Sequence, residues 1–168
     1  MNDQTLMDLV DRMRNRFYGK YRGTVSEVGD DGRIKAYVPA VLGDHTTGWC
    51  MPCLPYAGDQ ACIAFLPEEN AGVWIEFEGG DVSYPIWVGC YWHTGEMPDR
   101  VAPQVKVIRT PEDQEIVIDD KDHKITITDW NNNSVTLDAN GIAIVRGSGK
   151  VAISDGKVSV NDGAMEVT

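Results

Sequence analysis

The chain has 168 residues, 42% of them hydrophobic, and a formal net charge of −11. This length suits one medium domain or a small domain with an extension, and no apolar run approaches the roughly 20 residues that a membrane-spanning helix needs. The acidic balance would repel a phosphate backbone and an anionic membrane surface alike, so nucleic acid is not an expected partner.

The charge is uneven. Residues 1–22 carry +2, residues 23–97 carry −9 with Arg33 and Lys35 as their only Lys or Arg, and residues 98–168 carry −4. In residues 1–20, Leu6, Leu9, Val10, Met13 and Phe17 recur at spacings of three and four, which predicts one apolar face of a short amphipathic helix. Asn2 or Asp3 can cap its start, and Arg12, Arg14 and Arg16 decorate the rest. Such a helix packs either on its own domain or into another subunit. No continuous apolar segment marks these residues as a signal peptide.

From Tyr21 the period changes to two. Thr24–Val28 and Arg33–Val38 alternate on either side of Asp30-Asp31-Gly32, a hairpin signal. Further strands are expected at Gly48–Leu54, Ala61–Leu66, Gly72–Glu78 and Pro85–Trp92, punctuated by Gly58-Asp59, Pro67 and Gly79-Gly80-Asp81. Many short strands between turn residues predict a small barrel or sandwich over residues 21–97. Trp49, Trp74, Trp87 and Trp92 can fill its core or rim. Residues 98–124 open on a proline-rich stretch and read as a linker and neck.

Residues 125–168 carry the clearest pattern. Ile125 and Ile127, Val135 and Leu137, Ile142 and Ile144, Val151 and Ile153, Val158 and Val160, and Met165 and Val167 are apolar pairs two apart, each facing one side of a short strand. Thr126, Thr128, Thr136, Ala143, Ala152, Ser159 and Glu166 occupy the other side. Turns recur at Asn140-Gly141, Gly147-Ser148-Gly149, Asp155-Gly156 and Asp162-Gly163, which makes the segment an internal repeat. One layer of such strands cannot enclose its own apolar face. Seven to ten residues per repeat suffice for one face and one corner, so three chains wrapped together would bury the pairs on a shared axis. The expected fold is therefore all-β, ending in an intertwined trimeric β-helix with these twelve residues as its core. Six layers at about 4.8 Å would make it on the order of 30 Å long.

These features resemble the phage baseplate assembly protein V family, which includes baseplate central spikes and the C-terminal half of VgrG spike proteins. The resemblance rests on Tyr21–Val28, on Gly48–Gly58 and on Gly72–Asp81 followed by Pro85-Ile86-Trp87-Val88-Gly89. It continues through Val107–Pro111, Ile116–Asp120 and the strands that follow. It implies an OB-fold barrel followed by a trimeric β-helical needle, a structural part without a cofactor. The implied partners are further copies of the chain, a baseplate hub protein and tail tube or baseplate proteins. The target envelope would be touched only mechanically. The implied location is the tail baseplate of a virion or injection particle, assembled in the host bacterial cytoplasm. About 25 residues separate barrel and needle, too few for the lysozyme domain of some relatives. The end of the chain has no His-x-His pair for an iron tip, so a separate PAAR-type tip protein is expected to cap it. Leu6, Leu9, Val10, Met13 and Phe17 are then candidates for docking to the hub.

The same sequence offers other candidate chemistry. Cys50 and Cys53 have zinc half-site spacing, and Cys62 and Cys90 could complete four thiolates. Alternation along a strand, however, points residues three apart to opposite faces, and buried free thiols are the expectation. Glu68, Glu69, Glu76, Glu78, Asp119 and Asp120 show no pairing across a cleft, and His45, His93 and His123 are isolated, so no catalytic residues are assigned. The alternative function is an OB-fold module for oligonucleotide or oligosaccharide, which for nucleic acid would want more cations than Arg33 and Lys35.

Overall fold

The structure is a computed structural model that describes residues 4–7, 10 and 16–167. It divides into two compact units, residues 1–96 and 97–168.

The first unit is built on a five-stranded sheet of β1 (Tyr21–Val28), β2 (Ile34–Tyr37), β3 (Met51–Pro52), β6 (Gly72–Phe77) and β7 (Pro85–Tyr91), in the order β2-β1-β6-β7-β3. It forms an OB-type half-barrel. The β1–β2 hairpin closes where Gly29 N–H donates to Arg33 O at 2.8 Å, around the expected Asp-Gly turn. A bulge between Val25 and Glu27 interrupts the β1–β2 register, the usual device by which a strand bends as a sheet curls. Alternation selects the core: Val25, Ile34, Ala36, Val38, Val73, Ile75, Phe77 and Trp87 point inward with Cys50. Trp87 fills the centre and satisfies its indole N–H by donating to Gly32 O at 3.3 Å, as a buried tryptophan must. Trp74 is half-buried, whereas Trp49 and Trp92 are exposed.

Two expected strands are shorter than their sequence pattern. Gly48–Leu54 yields only β3 and a bridge from Cys50 to Ile34. Ala61–Leu66 yields β5 (Ala61–Ile63), which pairs with β4 (Tyr56–Gly58) as a two-stranded hairpin outside the main sheet.

At the N-terminus, residues 4–7 and 10 are helical, and Leu6 and Val10 are exposed. Leu9 and Met13 lie outside the described residues. Phe17 departs from the expected helical docking face. It is non-helical, its N–H donates to Gly80 O at 2.8 Å, and its ring lies edge-on to Tyr21 and Phe77, against the barrel core.

The second unit is one eight-stranded antiparallel sheet. Its strands are β8 (Val105–Arg109), β9 (Glu115–Asp119), β10 (Lys124–Thr128), β11 (Ser134–Asp138), β12 (Gly141–Arg146), β13 (Gly149–Ser154), β14 (Lys157–Val160) and β15 (Met165–Val167). Each pairs with its sequence neighbours from β8 to β15. Two findings differ from the sequence expectation. Residues 98–124, read as linker and neck, contribute β8 and β9 to the sheet. The repeats also reverse rather than turn a corner: two-residue connections join Asp138 to Gly141, Arg146 to Gly149 and Ser154 to Lys157. Connections this short force antiparallel hairpins. Within one chain the repeats therefore form a meander.

Gly141 is the tightest of these turns. Its φ is +120°, and a Cβ there would sit 2.0 Å from Ile153 O on the neighbouring strand. Gly141→Ala is expected to destabilise the meander by about 2–4 kcal/mol, because strain at φ > 0 and a backbone clash add. Thermal unfolding of the variant beside the wild-type chain measures it.

Candidate functional site: an unpaired aliphatic face

The cross-strand register of the meander aligns its apolar pairs into two columns. One runs Ile118, Ile125, Leu137, Ile142, Ile153, Val158 and Val167. The other runs Ile108, Ile116, Ile127, Val135, Ile144, Val151, Val160 and Met165. Cross-strand partners share a face, so all twelve residues expected to form a common core lie on one side of the sheet. Ile108, Ile116 and Ile118, from the segment expected to be linker and neck, extend that face, and Ile116 and Ile118 carry the same two-residue spacing.

Within one chain this face is uncovered. Nine of the twelve residues are exposed, and Val135, Val151 and Val160 are half-buried. Ile144 keeps 48% of its surface and Met165 60%. On the opposite face Thr126, Thr136, Ala143, Ala152 and Ser159 are half-buried. This ordering inverts the usual one, in which aliphatic side chains are the more buried. Contiguous exposed apolar surface of this extent marks an interaction site.

The turns at the sheet margins are fastened by their own aspartates. Asp119 Oδ1 accepts from Lys121 N–H and Asp122 N–H at 2.9 and 3.0 Å. Asp138 Oδ1 accepts from Asn140 N–H at 2.7 Å. Asp129 accepts from Asn131 N–H, Asn133 N–H and the Asn133 side-chain amide at 3.0, 2.8 and 2.7 Å. These are Asx-type turns, which give three of the acids a structural role.

A concavity of about 580 Å³ runs along Ile108, Ile116, Ile127, Val135 and Ile144 and so belongs to the apolar face. Two carboxylates stand at its rim, and both are engaged. Glu115 accepts from Arg100 at 2.7 Å, with Arg109 at 3.6 Å from its second oxygen. Asp129 holds its turn.

The cysteines do not converge. Cys50 is buried, lies 3.2 Å from the Thr47 hydroxyl, and burial pushes its thiol pKa up. Cys53, Cys62 and Cys90 are exposed, which corrects the expectation of buried thiols: only Cys50 is in the core. Among the described residues no cluster of His, Cys, Asp or Glu could hold a metal ion. On the barrel, Arg33 pairs with Asp31 and Lys35 with Glu27. Neither of the two cations weighed for an oligonucleotide site is therefore uncommitted.

An OB-type half-barrel followed by a sheet with one unpaired aliphatic face defines an all-β assembly subunit. A family model described as the type VI secretion system/phage-baseplate injector OB domain matches residues 21–92. A second, described as the phage baseplate V C-terminal trimerisation domain, matches residues 105–166. The chain belongs to the phage baseplate V family of spike proteins. A comparison with curated proteins found no match.

Two outcomes follow from the local chemistry. Zinc measured on the purified chain by mass spectrometry is expected well below one ion per chain, because burial disfavours the Cys50 thiolate. The Asn133 amide, foremost, holds the Asp129 carboxyl below its ordinary value. A carboxyl depressed on folding stabilises above its unfolded pKa, and that contribution is lost as pH falls through the folded value. Asp129→Asn should therefore melt lower than wild type at pH 7, and the gap should shrink in melts taken below the unfolded value of 3.8.

Proposed function

We propose that the chain is the central spike of a baseplate, a structural subunit that works as a homotrimer. The observation that carries this reading is the double column of aliphatic side chains left open by a single chain. Two such faces could also close as a sandwich; the match of this segment to a trimerisation domain favours three. In this arrangement each meander is one wall of a three-sided prism, and the columns line its axis. Seven strand spacings at about 4.8 Å give a prism on the order of 34 Å long. Burial of some fifteen aliphatic side chains per chain would contribute tens of kcal/mol before the cost of ordering is subtracted. Closure around the axis buries the apolar face of the meander against copies of itself.

The spike would sit below the hub of a contractile tail or related VgrG-type injection system, with tail tube and baseplate proteins as neighbours. Assembly would take place in the host bacterial cytoplasm. Its role in crossing the target envelope is mechanical, with a PAAR-type protein as the cap at its end. The exposed Leu6 and Val10 of the N-terminal segment offer an apolar surface to the hub. The family is one of structural proteins, and the engaged carboxylates give no second reading as a hydrolase.

Light scattering on the full chain tests the assembly. The expected mass is three times 18.6 kDa. Ile142→Asp with Ile144→Asp places two carboxylates per chain in the β12 layer of the axis, and should convert the trimer to monomer at micromolar concentration. A wild-type monomer, or a double variant that stays trimeric, would sink this reading.

A further inference from the structure

The barrel carries a second uncovered apolar element. Pro55 to Leu66 are twelve consecutive exposed residues, nine of them apolar, with Asp59 as the one charge. They comprise the β4–β5 hairpin and the chain after it. The hairpin's two strands hydrogen-bond only to each other. Tyr56, Ile63 and Phe65 keep 54%, 53% and 67% of their surface. A two-stranded hairpin alone in water is marginal, and an exposed apolar patch this large on an otherwise acidic domain calls for a cover.

We propose that this hairpin is an interchain clasp that docks on the barrel of a neighbouring copy of the same chain. The inference deepens the trimer reading and rests on it. Two observations select this occupant over another protein. First, β7 ends at Tyr91 and β8 starts at Val105. Thirteen connecting residues span at most about 45 Å, so trimerised meanders hold three barrels at an effective concentration on the order of millimolar. Second, residues 23–97 carry −9, so barrels held this close repel through most of their surface. The hairpin, with its single charge, is a stretch through which they can touch without facing like charges. Trp49 and Met51, both exposed, supply apolar surface on the barrel for it to meet.

The hairpin contains its own reporter, the exposed Cys62. Alkylation of the full chain by iodoacetamide, resolved by peptide mass spectrometry, reads its accessibility, while light scattering reads the mass of the same sample. In the trimer Cys62 should react about tenfold more slowly than in the Ile142→Asp/Ile144→Asp monomer, as expected for a segment that must open before it reacts. Phe65→Asp should restore the fast rate while the mass stays trimeric, with continued protection of Cys50 reporting an intact barrel. Equal Cys62 rates in a confirmed trimer and in the monomer would overturn the clasp and leave the trimer reading standing. A monomeric wild-type chain would overturn both.

Discussion

The second unit has no second layer, and that constraint governs the rest of the molecule. Its eight strands pair only with their sequence neighbours, so no element of the unit lies over the Ile, Val, Leu and Met columns. The barrel behaves in the opposite way. It encloses its own core of Val25, Ile34, Ala36, Val38, Cys50, Val73, Ile75, Phe77 and Trp87. One half of the chain thus closes its own core as a single copy, while the other presents a core cut open. The free energy of closing that core is available only through association, which couples folding of the meander to assembly.

Much of this was legible because the meander obeys local rules. Pairs such as Ile142 and Ile144 stand two apart, and Asn140-Gly141 and Asp155-Gly156 sit where the chain must turn. The sequence did not decide between a corner and a reversal, since seven to ten residues accommodate either. That choice lies in the two-residue connections, whose geometry suits hairpins. β8 and β9 escaped for another reason. Ile116 and Ile118 carry the same period, but Pro98, Pro103 and Pro111 break up the surroundings and read as boundary. At the other end, Phe17 continues the helical spacing of Leu6 and Val10, yet Tyr21 and Phe77 offer its ring a better site on the barrel. Tertiary packing overrode periodicity there. The cysteines were misjudged for the same reason: whether Cys62 is buried depends on where the β4–β5 hairpin goes, which no local pattern encodes.

The acidity of the chain also acquires a structural account. Asp119, Asp129 and Asp138 hold turns at the margins of the meander. Asp31 and Glu27 neutralise Arg33 and Lys35, and Asp81 pairs with Arg16 at 3.1 Å. Exposed pairs of this kind add little stability. Their consequence is instead that neither Arg33 nor Lys35, the only Lys or Arg in residues 23–97, stands as an uncommitted cation. Fold and function separate cleanly at this point.

The meander finally bears on how a spike of this type would carry load. Strands in a ladder stack perpendicular to their length, so backbone hydrogen bonds in the proposed prism run along the axis and lie within one chain. An intertwined helix would instead pass its ladder from chain to chain. In the meander an axial thrust compresses each wall along its own hydrogen bonds, while the aliphatic columns between walls resist splaying. Close-packed side chains have low compressibility, and the columns consist of Ile, Val, Leu and Met with no charged or hydrogen-bonding side chain among them. Axial stiffness then belongs to the chain and lateral stiffness to the trimer, and both depend on the same two-residue turns that set the columns in register.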